Sequence, residues 1–353
     1  MKQVCFFGIY DSNYSRNRVI RRSLEENGFN IVECNLDPKK YSKLIKYLKL
    51  FQKAWSIRST AFSFVLVAFP GHSVVWLAKL IFKGTIVFDA FLSVSDSNYN
   101  DRKVYNFISI RHFYDLFLDW SSCFFADVVI LDTYEHIKFF NKNFMVSRSK
   151  MVRVLVGTSE DVFYPREGVI NKQKLIHFHG YFIPLHGVSH IIEAAKILEN
   201  ENIIFNLIGK GQEYLMMKKK VADLNLTNVN FIDPVTLSEL PNYIKNADVC
   251  LGIFGDTPKV ARVIPNKIYE YIAMGKIVIS ADTPAIRELF KDGENIVLCP
   301  SGDSENLAMK IKTILTDLEM NKKIGKNARI LFENKLQTKS LSRDLLLKLG
   351  YIN

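Results

Sequence analysis

Strand-length apolar runs, each followed by a segment of helical period, recur along the whole chain and leave few folds open to it. In the first half they are Val4 to Ile9, Phe64 to Phe69, Thr85 to Val94, Asp127 to Leu131 and Met151 to Val156. In the second half they are Leu175 to His179, Ile203 to Ile208, Val229 to Ile232, Val249 to Phe254, Ile277 to Ala281 and Ile296 to Leu298. A strand with one wet face alternates apolar and polar residues, whereas these near-continuous runs suit parallel sheets covered by helices on both faces. With 353 residues, two doubly wound α/β domains are expected.

Apolar periodicity stops in "GTSEDVFYPREGVINKQK" (Gly157 to Lys174), where Gly, Pro and charge accumulate as at a domain boundary. The expected division is an N-terminal Rossmann-like domain at 1–165, a second at 166–330, and a helical tail at 331–353 that can pack back on the first. Open α/β sheets take ligands at the carboxyl ends of their strands, so a cleft between the two sheets is the expected binding place.

The formal net charge of +11 calls for an acidic partner: a phosphorylated ligand, anionic lipid or nucleic acid. No recognised nucleic-acid motif accompanies the charge, so nucleic acid is not expected. In "YSKLIKYLKLFQKAW", Tyr41, Leu44, Ile45, Leu48, Phe51 and Trp55 have helical spacing, with Lys40, Lys43, Lys46, Lys49 and Lys53 between them. That pattern fits a basic amphipathic helix on an anionic membrane surface, and equally a core-facing helix with a solvated lysine face. The longest apolar block, Ala61 to Phe82, is broken by Pro70, Gly71 and His72, so no transmembrane helix is expected. The N-terminal apolar run reads as a strand rather than a signal sequence, and the five cysteines are scattered in apolar surroundings, which fits a reducing cytoplasm.

Several strand ends carry residues suited to chemistry. The turn "GIYDSNYSRN" offers Asp11, Asn13 and Arg16 as acceptor contacts or as a plain surface turn. "FPGHSVV" places His72 after a strand, where an imidazole can orient a substrate or simply be structural. "VFDAFLSVSDSNYNDR" supplies Asp89, Asp96 and Asp101, at least one of them expected to face a ligand. In the second half, Gly180 lets the backbone approach a ligand, with His179 or His186 placed to touch phosphate. Gly209, Lys210 and Gly211 form a second turn of the same kind, and "DTPKVARVIPNKIYEY" adds Lys259, Arg262, Lys267 and Glu270.

From "IPNKIYEYIAMGKIVISADTPAIRELFKDGENIVLCPSGDSENLAMKIKTIL", and back through "GYFIPLHGVSHIIEAAKIL" and "LIGKGQE", the chain resembles the nucleotide-binding domain of family 4 glycosyltransferases. The likeness covers about Ala126 to Leu315 and is looser in the N-terminal third. It implies the GT-B fold, two Rossmann-like domains facing each other across a cleft. It also implies sugar transfer from a nucleotide sugar with retention, without a bound metal or other cofactor. In such enzymes the helix glutamate matching Glu270 holds the donor ribose. Two positions depart from the family: Arg262 stands where a second glutamate is usual, and Tyr181 and His186 replace the Arg and Lys that hold the diphosphate.

Taken together, these features lead us to expect a cytoplasmic glycosyltransferase, peripheral on the inner face of the membrane, acting on a lipid-linked or cell-surface glycan acceptor. Gly180, Gly209, Lys210, Lys259, Arg262, Lys267 and Glu270 would bind the donor. His72, Asp89 or Asp96 would orient the acceptor hydroxyl, and Asp11, Asn13 and Arg16 would hold the acceptor. The alternatives are a non-catalytic glycosyltransferase-like scaffold and another GT-B enzyme such as a sugar-nucleotide epimerase.

Overall fold

The structure, a computed structural model, describes residues 2–41, 44–169 and 172–352. The chain divides into two compact units: Met1–Tyr99 with Lys103–Gly157 and Thr338–Asn353, and Asn100–Arg102 with Thr158–Gln337.

Unit 1 is built on β1 (Lys2–Ile9), β2 (Phe29–Leu36), β3 (Phe64–Val67), β4 (Ile86–Phe91), β5 (Val128–Leu131) and β6 (Met151–Arg153). All pairings are parallel, in the order β2-β1-β3-β4-β5-β6. Every first-half run singled out in the sequence is a strand, and β2 is an additional one. It escaped because "FNIVECNL" alternates with Asn30, Glu33 and Asn35, as suits an edge strand with one partner and a partly wet surface. Helix α1 (Ser15–Glu26) covers one sheet face with Ile20 and Leu24, beside Leu345 and Leu346 of the tail. The other face is covered by α2 (Ile45–Ser56), α3 (Val75–Ile81), α4 (Ile110–Phe125) and α5 (Tyr134–Phe144), through Leu50, Leu77, Cys123 and Phe140 among others.

The lysine-rich helix begins at Ile45, and Lys43 lies outside the described residues. Its apolar residues are split. Leu50 and Ala54 are buried and Phe51 is half-buried, whereas Leu44, Ile45, Leu48 and Trp55 face outward.

Unit 2 repeats the plan with β7 (Lys174–His179), β8 (Ile203–Ile208), β9 (Val229–Ile232), β10 (Val249–Leu251), β11 (Val278–Ala281) and β12 (Val297–Cys299), parallel in the order β12-β11-β10-β7-β8-β9. Its helices include α6 (Val188–Ile197), α7 (Tyr214–Asp223), α8 (Leu240–Lys245) and α9 (Asn266–Ala273). Strand order reverses between β7 and β10, and such a switch point opens a crevice at the carboxyl ends of the strands.

The unit boundaries fall at Gly157 and Gln337, beside the composition break and within the tail respectively. From Thr338 the chain returns to unit 1. The turn of helix Thr338–Leu341 packs on α1, Arg343–Lys348 packs on β6, and Tyr351 meets Phe29 edge-on while donating its hydroxyl to the Ser63 carbonyl at 2.7 Å.

Candidate functional site

In unit 2 the carboxyl ends of β7 and β8 turn at glycines whose φ values, +147° and +144°, disfavour any side chain. A Cβ on Gly209 would lie 1.9 Å from the Gly180 carbonyl oxygen, so the two turns close-pack as bare backbone. Beside them opens a pocket of about 230 Å³ whose walls include Gly180, Gly209, Ile208, Pro234, Val235 and Leu240. Apolar walls with exposed peptide edges suit a flat heterocycle that also needs hydrogen bonds.

Glu270 lies in the middle of α9, nearly buried, and His179 at the end of β7 meets it at 2.7 Å. An ionised carboxylate only accepts, so His179 Nε2 donates to it. Nδ1 is met by the Tyr271 hydroxyl at 3.1 Å and by His177 Nε2 at 3.0 Å. Burial holds His177 well below the ordinary imidazole range and Tyr271 well above the ordinary phenol range, so the first stays neutral and the second keeps its proton. The carboxylate is thus held by His179, whose other ring nitrogen is packed by Tyr271 of α9 and His177 of β7, and its remaining lone pairs can accept from hydroxyl groups. The sequence offered His179 or His186 for a phosphate; in the fold His179 meets Glu270, because β7 ends directly beside the second turn of α9.

Lys267 precedes Glu270 by three positions on α9, and its ammonium end is aimed at the Gly180 turn. A Cβ on Gly180 would come within 3.0 Å of Nζ. Lys267 is 4% exposed, its Nζ lies 4.1 Å from the Phe178 ring centroid, and it has no hydrogen-bonding partner among the described residues. Burial drives its pKa well below the ordinary lysine range, against the pull of Glu270. His186 donates to the Tyr181 carbonyl through Nδ1, and Tyr181 projects into solvent. Lys210 lines the pocket while its ammonium pairs with Asp233 at 3.3 Å. Arg262 ends the short turn Val260–Arg262 and Lys259, buried, precedes it.

Of the three candidate aspartates Asp89, Asp96 and Asp101, Asp101 belongs with unit 2. It accepts from the Thr257 hydroxyl at 3.3 Å; burial raises its pKa, and Lys259, the Leu185 amide and Arg102 oppose the rise.

Unit 1 requires corrections. Arg16 and Asp89 are fully buried and face each other, with guanidinium nitrogens 2.6 to 2.9 Å from the carboxylate oxygens. Arg16 also donates to the Val154 carbonyl at 3.2 Å. Both side chains are fully buried, and each neutralises the other where an unpaired charge would be costly. His72 is buried 3.6 Å from Asp119, and burial lowers its pKa against that neighbour. Asp96 is buried at the start of the π-helical turn Asp96–Asp101. Asp11 and Asn13 do line a polar pocket of about 370 Å³, together with Asn35, Asp37 and Lys40.

The residues that sequence reasoning passed over are on α4. Asp119 accepts from the Ser93 and Ser95 hydroxyls at 2.6 and 2.8 Å and from the Val94 amide at 2.9 Å. Asp115 accepts from Asn98 at 2.8 Å and Tyr105 at 2.6 Å. Their signal was a polar stripe at helical spacing (His112, Asp115, Asp119, Ser122), which reads as a solvent face until the fold shows it turned inward.

Comparison with known proteins bears on this geometry. Residues 162–331 match the family model for glycosyl transferases group 1. An uncharacterized glycosyltransferase of Methanocaldococcus jannaschii, MJ1178, is 22% identical over 182 residues, 52% of this chain and 48% of that protein. The chitobiosyldiphosphodolichol beta-mannosyltransferase of Candida albicans is 24% identical over 325 residues, 81% of this chain and 68% of that one. The chain thus spans about half the length of the first of these relatives. Among solved structures, Anabaena HepE in complex with UDP-glucose superposes with a TM-score of 0.74 at 14% identity, covering 100% of both chains. The fold is GT-B, as the sequence implied.

Proposed function

We propose, from the match of residues 162–331 to the family model for glycosyl transferases group 1, that this protein transfers a sugar from a nucleotide sugar to an acceptor, unit 2 binding the donor. The observation that carries the reading is Lys267: an amine removed from water, without a hydrogen-bonding partner among the described residues, set against a bare glycine turn and one helical turn from a buried carboxylate. An anion beside a pair of hydroxyls satisfies both groups, and a nucleoside diphosphate presents both.

The heterocycle enters the pocket beside Gly209, the ribose hydroxyls donate to Glu270, and the diphosphate meets Lys267 at the Gly180 turn. As the bond from the sugar to the diphosphate breaks, charge grows on the leaving oxygen. A cation fixed at that point without reorganisation lowers the barrier more than it strengthens ground-state binding. Lys259 and Arg262 supply further positive charge in place of the usual ligands, so the reading requires no metal. Retention is carried over from the family resemblance, and the anomer of the product decides it.

The acceptor is proposed to be lipid-linked or a cell-surface glycan. The Candida relative, named for a dolichol diphosphate-linked acceptor, supports that choice. The protein would work as a peripheral protein on the cytoplasmic face of an anionic membrane; the charge of +11 supports this, and among the described residues no helix is long and apolar enough to cross one.

Burial of His72, Asp89 and Asp96 favours a second reading, a donor-binding module without turnover, since it withdraws the expected acceptor-orienting groups of unit 1. An epimerase is separated from both by release of nucleotide without acceptor-linked product. A melting-temperature panel of UDP, GDP and their sugars tests donor binding, because a ligand at about 100 times its Kd stabilises by about 2.7 kcal/mol. If none of these ligands raises the melting temperature, the donor site is wrong.

A further inference from the structure

Helix α4 is turned inside out. Its carboxylates, Asp115 and Asp119, point into unit 1, where bonds to Ser93, Ser95, Asn98 and Tyr105 fix the rotation of the helix. The exposed positions hold Arg111 and otherwise only apolar or aromatic residues. Phe113, Phe117, Trp120 and Phe124 recur there at intervals of three and four, and the Trp120 and Phe124 rings stack at 5.4 Å. Rotating the helix to bury this stripe would strand both carboxylates, so the stripe stays outside by construction.

The neighbouring helices continue the face. Helix α3 packs against both α2 and α4. The chain has three tryptophans, Trp55 on α2, Trp76 on α3 and Trp120 on α4, and they are 47%, 47% and 42% exposed. Tryptophan is ordinarily among the more buried residues, and it prefers the boundary between hydrocarbon and water when it is not. Neither α2 nor α3 contains a carboxylate, while α2 brings Lys46, Lys49 and Lys53.

We propose that this face of unit 1 docks on an anionic lipid bilayer, the aromatic stripe of α4 entering the headgroup layer while Arg111 and the α2 lysines meet lipid phosphates. Charge selects this occupant over a second copy of the chain. A two-fold contact would bring the same cations together with no exposed carboxylate on these helices to oppose them. The proposal extends the peripheral attachment suggested above and gives it residues, most of them outside the lysine-rich segment that the sequence pointed to.

The test uses the full chain and vesicles of phosphatidylglycerol mixed with phosphatidylcholine. Because every tryptophan stands on the proposed face, intrinsic emission reports on that face alone. Emission should shift to the blue on binding and be quenched by brominated lipid. Phe113→Ser with Phe117→Ser and Phe124→Ser, all at exposed positions, should lower partitioning about tenfold or more. Lys46→Gln with Lys49→Gln and Arg111→Gln should cost about fivefold per charge on anionic vesicles and little on neutral ones. About 0.5 M salt should weaken the wild type by screening. Tryptophan emission unmoved by anionic vesicles would overturn the proposal, as would equal partitioning of the triple phenylalanine variant. So would a wild-type dimer in sedimentation that ignores vesicles and dissociates in that variant, which would assign the face to a second copy. Nucleotide-induced melting shifts, read on the same variants, should be unchanged, so failure here and failure of the donor site are told apart.

Discussion

Arg16 in unit 1 and Lys267 in unit 2 are both removed from water, yet Arg16 has a carboxylate 2.6 Å away and Lys267 has no hydrogen-bonding partner among the described residues. The chemical difference matches the environment. Guanidinium meets a carboxylate through two parallel bonds and keeps its charge under almost any burial, whereas an amine can shed its proton when desolvated. A cation whose counter-ion is built in contributes to the fold. One whose counter-ion is missing is poised for a ligand that brings negative charge. The same comparison sorts the carboxylates: both Asp89 oxygens are taken by Arg16, while Glu270 is met by one imidazole nitrogen and keeps capacity to accept.

The strongest way to break this comparison is Arg16→Met. Leaving Asp89 buried and unpaired should lower stability by about 3–5 kcal/mol, and adding Asp89→Leu should restore most of it. Urea unfolding of unit 1 reads both. If the single variant unfolds at the wild-type midpoint, the pair is not structural and Arg16 returns as a ligand residue.

Next in size is Lys267→Met, which should leave the unfolding midpoint unchanged or raise it, since a desolvated amine is replaced by an apolar side chain of similar length. Turnover with a working donor and acceptor should nonetheless fall about 100- to 1000-fold. A destabilised protein with normal turnover would reverse the roles assigned to the two cations.

Glu270→Gln should weaken donor binding by about 10- to 100-fold, because hydrogen bonds to a charged acceptor are worth about 1.5–3 kcal/mol. His179→Gln should have a smaller effect on affinity, acting only through the carboxylate it positions. Calorimetry on both variants orders them, and the opposite order would make His179 the ligand contact.

The smallest effect is a proton. Burial depresses the Lys267 pKa in the free protein, and a bound diphosphate favours the ammonium, so donor binding should take up part of a proton. Uptake should grow as pH rises above the depressed value and vanish again above the raised pKa of the complex. Binding heats measured in buffers of different ionisation enthalpy reveal it, and Lys267→Met should abolish the difference. Equal heats in all buffers for the wild type would mean that the amine is already charged.

Much of unit 2 was legible in advance. Gly180 and Gly209 stand at strand ends where only bare backbone fits, and Lys267 and Glu270 interrupt an otherwise apolar helix, so local sequence marks them as exceptions. Unit 1 was legible in its strands and misleading in its site. Arg16 and Asp89 are 73 positions apart, and nothing local announces that they neutralise each other. Similarly, the polar stripe of α4 shows that two sides of the helix differ without showing which one is wet.

What the sequence determined by itself is the architecture of two parallel sheets, because strands buried on both faces must be apolar along their length and that requirement is written residue by residue. Even the exception follows the rule, since β2 alternates because it stands at an edge. Tertiary structure alone decided which charges are satisfied. A buried ion's cost depends on the few ångströms around it, and those ångströms are filled by residues far away in the chain: Asp89 for Arg16, His179 for Glu270, Ser93 and Ser95 for Asp119, and for Lys267 only the open side of a glycine turn.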